Sequence, residues 1–384
     1  MTITTPPSTI FSRRKPRSVD QLANELRKAV AVGTFNDGDQ LPTIRQLAEE
    51  TGLAYNAVNR AFSILQAEGL LVSRKRAGTF VTKQKSNGAG DERPVIRVFA
   101  LIGPELSVGF YPSLQKGFDL GSDDLGYQII TSNTNNDVRV QANTILQLMD
   151  KSVAGVAIVP ATIGPSPAHH IRQLQRNGIP VVMLHRGVDD VRAPLVTIPA
   201  VQVGELAGRE MIKRGHTRIG FCASQRAGSS GNYLKGLRVA MKDAGLELSE
   251  DHVHYGDIVM FDNANYAEYE ASLERWFDRH MTGPDRPTVL FTSFESIGEI
   301  AYFVALRRGL RVPEDLSIVT VGGQERRGAI VRRLACVTVN EQQAGRLTAD
   351  LLDEMQNGRR PLDDQHEFMI EIAFDPAESL AEQA

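Results

Sequence analysis

Two hydrophobic spacings divide this chain. Between Ser18 and Val81 apolar residues recur every third or fourth position: Leu22, Leu26, Ala29 and Val30, then Ile44, Leu47 and Ala48, then Val58, Ala61, Phe62 and Leu65. Each set marks the buried stripe of an amphipathic helix. Ser18 with Gln21, and Thr43 with Gln46, have capping-box spacing, in which two side chains satisfy two free N–H groups at a helix start. Gly52 ends the second helix. The outer face of the third shows Asn56, Asn59, Arg60 and Ser63, without an acid, and is expected to lie open to solvent. From Val95 onward, short β-branched runs alternate with helices. Strands are expected at 95–102, 127–131, 154–160, 180–185 and 194–198, with helices near 111–125, 137–150 and 166–177. A second series places strands at 217–222, 287–293 and 316–321, with helices near 200–214, 231–244, 264–280 and 296–308. Two such series imply two doubly wound lobes of parallel sheet, with ligands held between them beyond the strand carboxyl ends.

The three early helices, with a short turn before the third, form a helix-turn-helix arrangement whose last helix enters a DNA major groove. Two β runs, LLVS and GTFV, flank Arg74, Lys75, Arg76, Ala77 and Gly78, a cationic wing. Residues 1–17, with Arg13, Arg14, Lys15 and Arg17, read as a disordered basic arm with weak phosphate contact. Residues 83–94 are polar and Gly-rich, a linker; no strand precedes Gly88-Ala89-Gly90, so it is not a nucleotide loop.

Charge sharpens this division. The net charge of −3 over 384 residues conceals 13 Lys and Arg against 7 Asp and Glu in residues 1–85, and 30 against 39 in the remainder. A small basic module joined to a larger acidic one suits a nucleic-acid binder that carries its own sensor. No run reaches the length of a membrane span and the N-terminus lacks a secretory apolar core, so a cytoplasmic protein is expected, with no membrane partner. Cys222 and Cys336 match no metal spacing and are read as free buried thiols.

The string LP-T-x-R-x-LA, TGL-x-x-N-x-V-x-RAF-x-x-L-x-x-EGL and R-x-GTFV resembles the winged-helix domain of the GntR family of bacterial regulators, over residues 18–82. The resemblance implies DNA contacts from Thr43, Arg45, Tyr55, Asn56, Asn59, Arg60, Arg74, Arg76 and Gly78. Thr43 is also read as the helix cap. Arg45 either touches DNA or pairs with Glu49 one turn on. Asn59 and Arg60 have the chemistry to read adenine or guanine edges bidentately. Asn56 is either such a reader or the N-cap of its helix, since Ala54 and Tyr55 cannot cap. Gly78, without a Cβ, would let backbone approach a groove. Many family members have Ser-Arg where this chain has Ala54-Tyr55, so their operator does not transfer.

Residues 95–375, through NGIPVVMLHR, RGHTRIGF and RRGLRVPEDLSIVTVGG, resemble LacI-type repressors and the related periplasmic sugar-binding proteins. This resemblance implies an effector and dimerisation domain, with lobes 95–199 plus 327–345 and 200–326 plus 346–375. His216 is implied to pack between helix and strand. The implied pocket comprises Phe110, Tyr111, His185, Arg186, Tyr233, Phe294, Glu295 and Gln324. Most of the Asp and Asn groups that bind sugar hydroxyls in the family are replaced here by Phe, Tyr, Pro and Ala. Phe110, Tyr111, Tyr233 and Phe294 could sandwich a ring, and Arg186 could clamp a carboxylate or phosphate. The effector is therefore expected to be sugar-like or to bear a carboxylate or phosphate. The alternative is a vestigial or protein-controlled cleft.

The expected fold class is α/β: an N-terminal winged helix-turn-helix (α+β) and a two-lobed, doubly wound, periplasmic-binding-protein-like (type I) effector domain. The expected function is a homodimeric repressor whose affinity for double-stranded operator DNA a small molecule controls. A secreted solute-binding protein fits less well because of the winged helix and the missing signal. No nucleophile elbow, zinc helix, phosphate loop or acid–base pair supports an enzyme, and no cofactor or metal is implied. His252 and His254 read as a solvated strand edge.

Overall fold

The computed structural model describes residues 16, 18–74, 78–82 and 97–383, the last stretch without 108, 152, 227, 257–262, 327, 331 and 332. The basic arm, except Pro16, and the linker lie outside the described residues, as do Lys75, Arg76 and Ala77 of the wing.

The N-terminal module comprises α1 (Val19–Ala31), α2 (Ile44–Thr51), α3 (Tyr55–Ala67), β1 (Leu71–Arg74) and β2 (Gly78–Val81). The Ser18 hydroxyl accepts from the Gln21 N–H, and Thr43 and Gln46 close a reciprocal capping box. Gly52 stops α2 in the left-handed region, at φ 78°. Leu22, Leu26, Leu47, Val58, Phe62 and Leu65 share one small core, which β1 and β2 close from Leu71 and Val81. The N-cap of α3 is Ala54, with no side-chain hydrogen bond, so Asn56 is not the cap.

Two six-stranded sheets form the rest. In the first, β4 (Tyr127–Asn133), β3 (Arg97–Gly103), β5 (Gly155–Ile158), β6 (Val181–Leu184), β7 (Leu195–Thr197) and β13 (Glu367–Met369) are parallel. In the second, β9 (Val253–Tyr255), β8 (Ile219–Ala223), β10 (Val289–Thr292), β11 (Ser317–Gly323) and β12 (Ala335–Val339) are parallel, and β14 (Ile372–Asp375) is antiparallel at the edge. The central strands are buried throughout and apolar but for Thr292 and Thr338, as sheets covered on both faces require. The helices are α4 (Tyr111–Asp124), α5 (Val138–Asp150), α6 (Ala168–Arg176), α7 (Ala200–Lys213), α8 (Ser229–Asp243), α9 (Asn263–His280), α10 (Glu295–Arg307) and α11 (Glu341–Gln356).

The lobe division differs from the expected one in the last third of the chain. Residues 335–339 pair with β11 and so belong to the second lobe, not the first. Residues 341–369 return to the first, because α11 packs on α4 and β13 pairs with β7. The chain then crosses back to β14. Three crossings result, after β7, β12 and β13, and backbone bonds tie them together: Asn340 N–H to the Glu371 carbonyl (3.1 Å) and Ile370 N–H to that of Thr197 (3.0 Å). Local periodicity marks a strand but not the sheet it joins.

Two helix pairs approach to backbone contact. A Cβ on Gly117 would collide with the Gln342 carbonyl oxygen, and one on Gly345 with that of Leu114, locking α4 against α11. Gly204 and Gly236 do the same for α7 and α8. His216 is buried with both ring nitrogens partnered, by Thr288 Oγ1 (2.9 Å) and the Ala381 carbonyl (3.1 Å). His254 corrects an expectation: it is buried, not solvated, because α9 covers the edge strand with Tyr269 and Trp276. Both cysteines are free and buried, and burial pushes both thiols up. Among the described residues no helix is long and apolar enough to cross a membrane, and no His, Cys, Asp and Glu group could hold a metal.

Gly345→Val is expected to cost at least about 3 kcal/mol, because backbone atoms must separate to admit the side chain. Gly245→Ala, at φ 72° with open space around it, should cost only about 1 kcal/mol. Urea titrations of the two variants, compared with the wild type, check the contrast.

Candidate nucleic-acid interface and effector cleft

The recognition helix turns its apolar side inward: Val58, Ala61, Phe62 and Leu65 are buried. Its opposite face is not open, contrary to expectation. The Asn56 side-chain amide donates to the Met149 carbonyl (2.8 Å) near the end of α5, and Arg60 donates to Gln356 Oε1 at the end of α11. Burial lowers the Arg60 guanidinium to about 10, and its Nη1 is buried without a hydrogen-bond partner. Asn59 is half-buried, and Ser63 donates back to the Asn59 carbonyl (3.1 Å). A polar helix face announces water or a polar partner; helical spacing cannot tell them apart.

The other implied DNA residues divide by exposure. Tyr55 is 55% exposed at the start of α3. Arg45 stands out from α2 with its Nε 3.7 Å from Glu49, both side chains largely exposed. Such a pair is worth little and leaves the guanidinium available. Thr43 is engaged in its capping box. The Arg74 guanidinium lies over the Phe80 ring at 4.9 Å, and Arg76 lies outside the described residues. Gly78 has φ 109°, and the Gln40 side chain occupies the space a Cβ would take. Its lack of a side chain therefore makes room for Gln40 beside the wing.

The cleft is assembled from strand ends. Phe110 and Tyr111 follow β3 at the start of α4, His185 and Arg186 follow β6, Phe294 and Glu295 follow β10, and Gln324 follows β11. Phe110, from the first lobe, meets Phe294 of the second at 5.7 Å between ring centroids. His185 lies 6.5 Å from Phe110 and 5.5 Å, edge-on, from Tyr111. The His185 backbone sits at φ 61°, a left-handed conformation uncommon for any residue but glycine, and its Nε2 is buried without a partner among the described residues. Burial, with the Arg186 charge beside it, lowers His185 to about 4, so the ring is neutral at pH 7. Burial raises Tyr111 to about 12 and lowers Arg186. One arm of the proposed clamp is engaged already: Arg186 Nε donates to the Pro160 carbonyl (2.7 Å).

Tyr233 does not offer a ring face. It is fully buried against Phe291, because Gly204 lets α7 press directly onto α8 at this point. Its hydroxyl, near Ser229 and Glu341, makes no hydrogen bond of ordinary geometry, and burial pushes its pKa up. Gln324 is exposed at the rim. Glu295 pairs with Arg326 (3.1 Å), which also holds Asp375 (3.1 Å). Burial, opposed by Arg326, raises Glu295 to about 7.

Sequence reasoning missed Arg326 and Glu341. Glu341 opens α11 where the chain crosses after β12; it is 1% exposed, and neither carboxylate oxygen has a hydrogen bond of ordinary geometry. Burial raises it to about 8, opposed by backbone N–H groups of Glu341 and Gln324 and helped by Glu295 and Glu325. Asn340, which caps α11 through the Gln343 N–H (3.1 Å), was a legible signal for the helix. Nothing local marks the direction of the Glu341 side chain. Across the lobes, Lys116 and Gln342 of the first both reach Glu325 of the second, each at 2.6 Å.

Comparison with known proteins agrees with both halves. The family of periplasmic binding proteins and sugar binding domain of LacI family matches residues 97–369, and the bacterial regulatory proteins of the gntR family match residues 18–81. The HTH-type transcriptional regulator DegA of Bacillus subtilis is 25% identical over 224 residues, 58% of this chain and 63% of DegA, so the match spans less than two thirds of that relative. The arabinose metabolism transcriptional repressor of Geobacillus stearothermophilus is 24% identical over 305 residues, 78% of this chain and 80% of the relative. The structure of the transcriptional regulator CelR–cellobiose complex superposes with a TM-score of 0.61 at 22% identity, covering 88% of this chain and all of that one. Two lobes of parallel sheet, three crossings and a capped helix-turn-helix with its wing thus meet one conclusion: this chain belongs to the LacI family of periplasmic-binding-protein-like regulators and carries a GntR-type DNA-binding domain.

Proposed function

We propose that the protein is a transcriptional repressor whose hold on operator DNA is set by a small molecule bound between the lobes. The observation that carries the ligand reading is the set of buried, unmatched polar groups around the cleft: both Glu341 oxygens, the Tyr233 hydroxyl, Ser293 Oγ and His185 Nε2. Each such group costs about 1–3 kcal/mol while unpaired, a cost that ligand hydroxyl or amine groups would offset. The aromatic cluster of Phe110, Tyr111 and Phe294 suits a ring face, and the free arms of Arg186 suit a carboxylate or phosphate. The names of the arabinose repressor and the CelR–cellobiose complex support a sugar or sugar derivative as the class. A second reading has its own support: Phe110 and Phe294 already touch across the lobes, which favours a cleft that closes on itself.

On DNA, α3 would enter the major groove, with Arg45 and Arg74 toward the backbone. A homodimer would set two such helices about 34 Å apart on a near-palindromic site. Phe303 and Leu306, 46% and 45% exposed on α10, offer apolar surface for a second copy.

Thermal shifts with pentoses, hexoses, sugar acids and sugar phosphates should reveal a ligand that stabilises by about 2.7 kcal/mol at a hundredfold excess over its Kd. Glu341→Gln or Arg186→Ala should abolish that shift; no shift with any compound would favour the self-closed cleft. Glu341→Gln also has a signed pH effect. A carboxyl raised to about 8 in the fold keeps a proton that the unfolded chain has released above about 4.5. Wild-type stability should therefore fall from pH 5 to pH 8 relative to the variant, by on the order of 2–4 kcal/mol, in urea titrations at each pH. Arg45→Ala should weaken binding of operator and random duplex alike and lower the salt slope by about 1, as mobility shifts at several salt concentrations would show.

A further inference from the structure

We propose that the end of the first lobe formed by the last turns of α5, α6 and α11 is a docking surface for the chain's own recognition helix. Operator DNA and this surface then compete for Asn56 and Arg60. The inference rests on the reading of α3 as the DNA-contacting helix.

Three helix C-termini converge on this surface. Met149 near the end of α5 supplies a carbonyl to Asn56, Gln356 at the end of α11 supplies a side-chain oxygen to Arg60, and Gly178 lies just past α6. A Cβ on Gly178 would stand 3.4 Å from a Val19 methyl and 3.8 Å from Arg60 Nη1, so α1 and α3 both press close to that loop. The negative ends of three helix dipoles attract a cation, and Arg60 is the cation they receive. With their donors committed here, Asn56 and Arg60 cannot reach base edges.

The contact is built to be reversible. Arg60 meets a neutral amide oxygen rather than a carboxylate, and its Nη1 is left buried without a partner. The acids of α11's last turn are engaged elsewhere: Asp353 by Tyr127, Asn357 and Arg359, and Glu354 by Arg360. Asp20 of α1 supports the Arg60 charge only at a distance, without an ion pair, and burial outweighs it; phosphate or a guanine edge, bonded directly, satisfies a desolvated guanidinium better. Docking thus lowers apparent DNA affinity by the fraction of molecules it holds. The same helix that ends at Gln356 begins at Glu341 in the cleft, so surface and cleft share one rod of roughly 24 Å.

Gln356 lies outside the DNA-contacting and cleft residues, which makes it the position to vary. The test uses the full chain, a duplex enriched from a random pool by the wild-type protein, and fluorescence anisotropy at fixed salt. Gln356→Ala removes the acceptor and should tighten DNA binding about three- to tenfold. Gln356→Glu gives Arg60 a carboxylate and should weaken binding by a similar factor, with slower amide exchange over residues 55–63. A mere folding defect would move both variants the same way. Equal affinity in all three proteins, or a shift in one common direction, overturns the proposal. Enrichment of no duplex by the wild type would instead remove the DNA-binding reading itself.

Discussion

Parallel pairing is the constraint on which the arrangement of this protein depends. In a parallel sheet every strand ends at the same edge, so whatever follows the strands gathers there. The pairing of Thr292 with both Cys222 and Thr320, and of Gly323 with Val339, levels the ends of β8, β10, β11 and β12. Phe294, Glu295, Gln324 and Glu341 are neighbours for that reason although 47 positions separate the first from the last. Burial on both faces stiffens each sheet, and the three crossings tie the lobes together through backbone bonds of Asn340 to Glu371 and Ile370 to Thr197.

Within that frame the cleft is electrostatically unfinished. Glycines make room for acids: a Cβ on Gly322 would overlap the Glu295 carboxylate, and one on Gly323 would crowd that of Glu341. Glu295 has Arg326 to balance it, whereas Glu341 makes no ion pair among the described residues. The outcome is a group that holds its proton near neutral pH, beside an unpaired tyrosine hydroxyl. Folding tolerates these costs because the two sheets and their helices supply extensive apolar burial elsewhere.

The α11 helix connects the two functional regions. Its first residue belongs to the cleft, its middle is locked to α4 by Gly345 and Gly117, and its last residue meets the recognition helix. A helix clamped to its neighbour by backbone contact moves as a unit with it. Relative motion of the lobes is therefore the motion available, and the Lys116–Glu325 and Gln342–Glu325 contacts lie across that motion.

Much of this was legible in residues alone. The apolar stripes and caps of α1 and α2, the strands from β3 to β8, and the wing all follow from spacing and from side chains that act on their own backbone. The placement of Phe110, Tyr111, His185 and Phe294 around one cleft followed from the resemblance, not from periodicity. Tertiary structure decided the rest. The sheet that β12 joins, the buried aim of Tyr233, the surroundings of Glu341 and the covering of Asn56 and Arg60 all depend on groups well outside one helical or strand repeat, beyond the reach of any local pattern. Helical and strand periods report which face of an element avoids water; they carry no term for what meets the other face.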